Sequence, residues 1–170
     1  YDRATQLLTL EPDAVAAEVR ALAPRNVVVT GGEPLLQRHG LRPLLQTLRA
    51  DGYRIEFETN GTVPPGELAG MVDQWNVSPK LAHSGNEGLN RLRPEVLRAF
   101  AAEPNSYLKL VVRDPSNLVE IDAIVAAAGM PAHRVLLMPE GRTAAELTAR
   151  SAAIAEICTA RGYRFSTRVH

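Results

Sequence analysis

The sequence contains a single cysteine, Cys158, among its 170 residues. One thiol cannot form an internal disulfide or a cysteine-rich metal site within these residues, and so little cysteine favours a reducing, cytoplasmic location. No apolar run is long enough to span a bilayer, and Tyr1-Asp2-Arg3 does not resemble a signal peptide. Basic and acidic residues balance at 19 each, which excludes a global field that attracts nucleic acid or an anionic membrane. We therefore expect a small-molecule ligand.

Helical and extended patterns alternate along the chain, with short turn-rich connections between them. This alternation predicts repeated βα units and a mostly parallel sheet in an α/β fold. A chain of 170 residues with 45% hydrophobic content can bury one substantial core, which predicts one domain. The predicted strands are 26–30, 54–58, 74–77, 107–112 and 135–138, with a further strand-like pattern over 164–170. The predicted helices are 12–22, 35–50, 94–102, 114–128 and 143–161.

Local signals support several of these helices. Asp114 is a good N-cap, and Thr143 stands in capping-box spacing with Glu146. The first helix is expected to extend to about Leu22 and to carry Val15, Val19 and Leu22 on one face. In the second, Gly40 and Pro43 are expected to separate a turn from a later helix.

Four of the predicted strands are followed by residues that are unusual in ordinary connections. Because the carboxyl ends of parallel strands meet at one edge of a sheet, these segments are expected to lie together, where such sheets bind their ligands. The four segments are 30–34, 58–62, 78–80 and 139–141.

The first segment reads Thr30-Gly31-Gly32-Glu33-Pro34. Adjacent glycines let the backbone pass close to a ligand, and Glu33 could pair with an ammonium group. A purely structural interpretation is also open. Two glycines make a strand-to-helix turn, Pro34 suits the first helical position and Glu33 suits the helix dipole.

The second segment begins with an acid at a strand end. Glu56 and Glu58 flank Phe57 and share one face by strand alternation. We favour Glu58 as a ligand-binding residue, because the last residue of a barrel strand is expected to leave the strand for the loop. A carboxylate there can accept both hydroxyls of a ribose. Asn60-Gly61 is typical of a turn.

Only two of the 19 basic residues are lysines, Lys80 and Lys109. Both lie beside or within predicted strands, where a compact ammonium differs in function from a planar guanidinium. Codon bias is the alternative explanation, so the count alone assigns neither lysine a catalytic role.

The four histidines are His39, His83, His133 and His170, and they lack close metal-ligand spacing. We expect His39 and His133 on the surface, whereas His170 could point into the ligand-binding edge. Cys158 is expected to pack in the core.

The Thr30–Pro34 segment resembles the motif by which radical S-adenosylmethionine enzymes hold the methionine amino group. The segments 58–62, 77–80 and 165–170 are similar to the 7-carboxy-7-deazaguanine synthase family of that superfamily. The likeness extends from the helix before Asn26 to His170. It implies a partial (βα) TIM-like barrel of the radical S-adenosylmethionine type, with residues 1–170 as a single core domain that is incomplete at both ends.

The resemblance also implies site residues. The cofactor-binding residues would be Gly31, Gly32, Glu33, Glu58, Ser78 and Lys80. Within this set the first three would hold the methionine end of S-adenosyl-L-methionine, and Glu58 with Ser78 would hold the ribose and its surroundings. Lys80 would be a neighbour without a defined role. Thr30 and His170 would contact a pterin substrate.

The implied reaction converts 6-carboxy-5,6,7,8-tetrahydropterin to 7-carboxy-7-deazaguanine with loss of ammonia, a step toward queuosine and other deazapurines. Family members use a 4Fe-4S cluster and Mg²⁺ and tend to form homodimers. The cluster cysteines and the Mg²⁺ ligands are expected upstream of Tyr1. Because Cys158 alone cannot ligate such a cluster, residues 1–170 by themselves are expected to be inactive.

Two alternatives remain open from the sequence. The first is a non-catalytic module that binds S-adenosylmethionine and lacks the cluster. The second is another βα-barrel enzyme that acts on a phosphorylated sugar, with Glu58 and either Lys80 or Lys109 as acid and base.

Overall fold

Six strands form one parallel sheet in the computed structural model, which describes residues 8–85 and 91–167. The strands lie side by side in the order in which they occur along the chain, β1 to β6, and each neighbouring pair is parallel. They are β1 Asn26–Val29, β2 Arg54–Thr59, β3 Gln74–Val77, β4 Ser106–Val112, β5 Val135–Pro139 and β6 Arg164–Phe165. The predicted α/β fold with a parallel sheet is confirmed.

Helices connect the strands and cover one face of the sheet. They are α1 Pro12–Arg20, α2 Arg38–Ala50, α3 Pro94–Ala102, α4 Leu118–Ala128 and α5 Ala144–Arg161. The capping box predicted for α5 is present, since the Thr143 hydroxyl accepts from the Glu146 amide at 3.2 Å and the Glu146 carboxylate accepts from the Thr143 amide at 3.3 Å. The Asp114 carboxylate caps the short 3₁₀ turn that leads into α4, accepting from the Ser116 amide at 2.8 Å.

The division predicted inside the second helix is wrong. A 3₁₀ turn over Pro34–Gln37 leads directly into α2, which continues through both Gly40 and Pro43. Helical spacing places Leu44, Leu45 and Leu48 in the core, and this burial offsets the local cost of glycine and proline near the start of the helix.

The predicted position of Leu22 is also wrong. Helix α1 ends at Arg20, and the Leu22 side chain is 64% exposed. Val15 and Val19, which lie within the helix, pack against the core. The helical spacing of apolar residues in the sequence therefore continues past the last residue of the helix.

The core lies between the sheet and the helices. An aromatic stack runs through its centre, with ring centroids 5.0 Å apart for Phe57 and Trp75 and 5.4 Å apart for Trp75 and Phe100. All three rings are fully buried, which anchors the middle of the sheet against α3. In the part of the chain described, no helix combines the length and apolarity needed to cross a membrane.

Candidate active site

The four predicted segments follow β1, β2, β3 and β5, so the parallel arrangement places them all at the carboxyl edge of the sheet. The prediction that they share one edge is confirmed. The residues that alternate with the core-facing residues of β2, β3 and β4 form what we call the polar face of the sheet. Its polar members are Arg54, Glu56, Glu58, Gln74, Asn76, Tyr107 and Lys109, and Val111 completes the face on β4.

Glu33 joins the first two loops of the carboxyl edge. Its carboxylate accepts from the Leu35 amide at 3.1 Å and from the Asn60 amide at 2.9 Å. The Thr59 hydroxyl lies 2.9 and 2.8 Å from the two carboxylate oxygens. With Glu33 only 9% exposed, these contacts occupy most of the acceptor capacity of the carboxylate. The side chain therefore fixes the loop after β1 to the end of β2.

The backbone before Glu33 has free space beside it. A Cβ atom built on Gly31 or on Gly32 would meet no heavy atom within 4 Å. Gly31 has a φ of +146°, a conformation that residues with side chains rarely adopt. The pair thus leaves an open surface against which a ligand can approach the main chain.

Gly61, in the loop after β2, has the opposite environment. Its φ is +74°, and an added Cβ would lie 2.9 Å from side-chain atoms of both Val77 and Leu97. The Asn60 carboxamide accepts from the Thr62 amide at 2.9 Å, as expected of the predicted turn. Close packing thus leaves no room for a side chain at Gly61.

Glu58 pairs with Lys109 across the polar face. The Lys109 Nζ lies 2.5 Å from the Glu58 Oε2, and the two side chains are only 32% and 21% exposed for Glu58 and Lys109 respectively. The expectation that Glu58 leaves the strand is wrong, because β2 extends to Thr59 and holds Glu58 on the same face as Glu56. The partner was not predictable from local pattern, since the two residues are 51 positions apart.

Other polar groups on this face pair with one another. Arg54 pairs with Glu56 and donates to the Gln74 carboxamide at 2.8 Å, and Gln74 donates to the Asn76 carboxamide at 3.0 Å. The Arg164 guanidinium lies over the Tyr107 ring, 5.4 Å from its centroid. In the register, Glu56 and Gln74 stand two residues before Glu58 and Asn76, whereas Asn76 and Tyr107 stand level with Glu58.

The loop after β3 continues the carboxyl edge. The Ser78 amide donates to the Thr59 carbonyl at 2.7 Å, so the loops after β2 and β3 leave the sheet together. Lys80 is exposed, and its carbonyl oxygen accepts from Arg91 at 3.0 Å. Thr30 is also exposed at this edge, whereas His170 lies outside the described residues.

An arginine-rich cavity of about 350 Å³ adjoins the loops after β4 and β5. Arg113 donates to the Glu140 carboxylate at 2.9 Å, and Arg150 donates to the Glu140 carbonyl at 2.6 Å. The hydrogen bond from Arg113 lowers the pKa of Glu140 below its usual value. The sequence indicated the 139–141 segment but not these arginine partners, which belong to other elements.

Cys158 is buried on α5 as predicted, where its thiol donates to the Arg164 carbonyl at 3.4 Å. Burial raises the pKa of this thiol, which disfavours the thiolate that a metal requires. His39 and His133 are exposed, as predicted. Across residues 8–85 and 91–167, no group of three or more acidic, histidine or cysteine side chains is placed to hold a metal ion.

Solved structures share this fold. SuiB from Streptococcus suis superposes with a TM-score of 0.68 at 13% identity, covering 96% of this chain and 44% of that protein. The structure of SuiB bound to S-adenosylmethionine gives a TM-score of 0.67 over the same shares of the two chains. The strand order, the helix-covered face and this likeness define the fold as a partial (βα) barrel that is shared with SuiB.

Proteins with similar sequences identify the family to which the chain belongs. A 7-carboxy-7-deazaguanine synthase from Halobacterium salinarum is 35% identical over 184 residues, covering 95% of this chain and 70% of that protein. The synthase of Hyperthermus butylicus is 33% identical, with 93% and 69% covered, and that of Pyrobaculum aerophilum is 37% identical, with 85% and 63% covered. No protein-family model matches the chain. The chain belongs to the 7-carboxy-7-deazaguanine synthase family, and it spans between 63% and 70% of the length of these three relatives.

Proposed function

We propose that the protein is a radical S-adenosylmethionine lyase that converts 6-carboxy-5,6,7,8-tetrahydropterin to 7-carboxy-7-deazaguanine with loss of ammonia, in the biosynthesis of queuosine and related deazapurines. The observation that carries this proposal is the 35% identity to a 7-carboxy-7-deazaguanine synthase over 95% of the chain. The arrangement of the loops after β1, β2 and β3 along one edge supports it, because one extended ligand can contact all three.

The carboxyl edge fits S-adenosylmethionine. The open space beside Gly31 and Gly32 would receive the methionine end, where main-chain carbonyls can accept from its ammonium group. Glu33 would act there by holding the loop in place, since most of its acceptor capacity is already used. Glu58 would accept the ribose hydroxyls, with Ser78 and Lys80 bordering the nucleoside.

Together with a reduced 4Fe-4S cluster, S-adenosylmethionine supplies the hydrogen-abstracting radical chemistry of this enzyme class. The residues of this chain would bind the cofactor and orient the pterin beside it, so that the reacting atoms meet in one geometry. Thr30, which is exposed at the edge, would contact the pterin, as would His170.

The described residues do not fit the cluster or Mg²⁺. Cys158 is buried with a raised pKa, and the described residues hold no metal-ligating group of three or more side chains. We therefore derive no step in which these residues ligate either group. Residues 1–170 alone, which we propose to be a single core domain, would bind the cofactor without turnover.

The first test is isothermal titration of residues 1–170 with S-adenosylmethionine and with a phosphorylated sugar such as ribose 5-phosphate. The proposal predicts saturable binding of the first and none of the second. Binding of the sugar phosphate alone would favour the other βα-barrel enzyme and overturn the proposal.

The second test measures turnover by the full natural polypeptide after anaerobic reconstitution with iron and sulfide. The proposal predicts a cluster absorption band and formation of 7-carboxy-7-deazaguanine from the pterin. Cofactor binding without either signal would instead indicate a non-catalytic module. Light scattering of the same preparation tests the expected homodimer.

A further inference from the structure

The Glu58–Lys109 pair bridges two strands that are not neighbours. Glu58 is on β2, Lys109 is on β4, and β3 lies between them with Asn76 opposite Glu58 in the register. The ammonium nevertheless lies 2.5 Å from Oε2 of the carboxylate. Lys109 thus extends over β3 to reach its partner.

The pair is set apart from the other charges on the polar face. Arg54 interacts with Glu56 and Gln74, which stand two register positions before Glu58 and Asn76. Among the residues that the structure describes, Lys109 is the hydrogen-bond donor to Glu58, and Oε1 of Glu58 accepts no hydrogen bond. One carboxylate oxygen is therefore held by an ammonium, and the other is left available.

The Glu58–Lys109 pair lies next to the loops of the proposed cofactor site. Glu58 immediately precedes Thr59, the residue that contacts Glu33, and the Thr59 carbonyl accepts from the Ser78 amide. The pair thus lies just below the loops that would surround the nucleoside. A long glutamate side chain has three rotatable bonds, and a carboxylate that accepts two neighbouring hydroxyls must have its plane fixed.

We propose that Lys109 is a positioning residue that fixes the Glu58 carboxylate for the two ribose hydroxyls of S-adenosylmethionine. This inference rests on the proposed function, because it assigns the recognition of the ribose within the same site. Lys109 would act through Glu58 by holding Oε2, an oxygen whose second lone pair stays free for a hydroxyl. Restricting the carboxylate before binding reduces the conformational entropy that the complex would otherwise lose.

The test compares S-adenosylhomocysteine with its 2′,3′-dideoxy analogue by isothermal titration against residues 1–170. Wild type should bind the hydroxylated ligand about tenfold or more tightly than the dideoxy analogue, because hydrogen bonds to a charged group are lost with the hydroxyls. This ratio of dissociation constants should fall close to one in Glu58→Gln. It should fall at least about threefold in Lys109→Met, since a loosely held carboxylate forms the same bonds at a greater entropic cost.

Two further variants sharpen the comparison. Lys109→Arg keeps a cation and should retain a ratio nearer to wild type than Lys109→Met does. Arg20→Met removes an exposed cation that pairs with Asp51, outside the proposed cofactor site, and should leave the ratio unchanged. Urea unfolding of each variant establishes that it is folded, and Lys109→Gln replaces Lys109→Met if the latter does not fold.

The outcomes separate the two proposals. If wild type binds neither ligand, the cofactor site of the proposed function is wrong. If the ratio responds to Glu58→Gln but not to Lys109→Met, Glu58 needs no positioning by Lys109. If Lys109→Met weakens both ligands equally, the role of Lys109 is merely structural, and that result also overturns the inference.

Discussion

The Thr59 hydroxyl lies within hydrogen-bonding distance of both carboxylate oxygens of Glu33, at 2.9 and 2.8 Å. This contact joins the last residue of β2 to the loop after β1, and both side chains are buried. It makes the position of one ligand-binding loop depend on the neighbouring strand. A site assembled from separate loops needs such cross-links to hold its shape without a ligand.

Thr59→Val keeps the shape of the side chain but removes its hydroxyl from Glu33. Because the buried carboxylate loses a donor, the free energy of unfolding should fall by about 1–3 kcal/mol. Urea denaturation measures this change, and Thr59→Ser, which retains the hydroxyl, is the control. Equal stability of the valine and serine variants would show that the contact contributes little.

Gly31 and Gly32 should respond differently to alanine. Gly31→Ala forces a side chain into a φ of +146° and should lower the free energy of unfolding by about 1–3 kcal/mol. Gly32→Ala has neither that φ nor a nearby atom, so the fold should be unaffected. Its methyl group would instead occupy the space proposed for S-adenosylmethionine and weaken cofactor binding by about tenfold. Unchanged binding by Gly32→Ala would place the ligand elsewhere.

Gly61 and Gly70 form a matched pair, since both have a φ of +74°. An added Cβ at Gly61 would lie 2.9 Å from Val77 and Leu97, whereas one at Gly70 would meet nothing within 4 Å. Gly61→Ala should therefore destabilise the protein by about 1–3 kcal/mol more than Gly70→Ala does, because overpacking adds to the shared backbone strain. Thermal and urea unfolding measure the stability of the two variants. Equal stability of Gly61→Ala and Gly70→Ala would contradict the prediction.

Stability should depend on Glu140 at acidic pH. The hydrogen bond from Arg113 lowers the pKa of Glu140 in the folded protein, so near this pKa the folded state binds fewer protons than the unfolded state. The stabilisation is present above the unfolded pKa of about 4.3 and is lost as the pH falls through the lower folded value. Urea unfolding between pH 7 and pH 3 should show that the free energy of unfolding falls less with acidification in Glu140→Gln than in wild type. Parallel profiles would mean that the Arg113 contact does not affect stability.

Local sequence patterns were sufficient to predict most of the secondary-structure elements and their order. Strand periodicity and the Thr143–Glu146 capping box predicted the order of the elements, and parallel topology then placed the four candidate segments at one edge. Local propensity failed at Gly40 and Pro43, because the burial of neighbouring leucines outweighs the two breaking residues.

The contacts within the site could not be predicted in the same way. The sequence predicts Glu33 as a ligand-binding residue, but its contacts with Thr59 and Asn60 depend on the pairing of β1 with β2. Lys109 was noticed only because lysine is scarce, and its partner is 51 residues away. Side-chain pairing across strands requires the three-dimensional register, which periodicity alone does not contain.

The most direct test of the proposed reaction is mass spectrometric analysis of the turnover products. The full natural polypeptide, reconstituted anaerobically, is incubated with S-adenosylmethionine, a reductant and 6-carboxy-5,6,7,8-tetrahydropterin. We expect 7-carboxy-7-deazaguanine and ammonia in equal amounts, and slower formation of both by Glu58→Gln when S-adenosylmethionine is below saturation. A reconstituted protein that cleaves S-adenosylmethionine but leaves the pterin unchanged would contradict the proposed reaction.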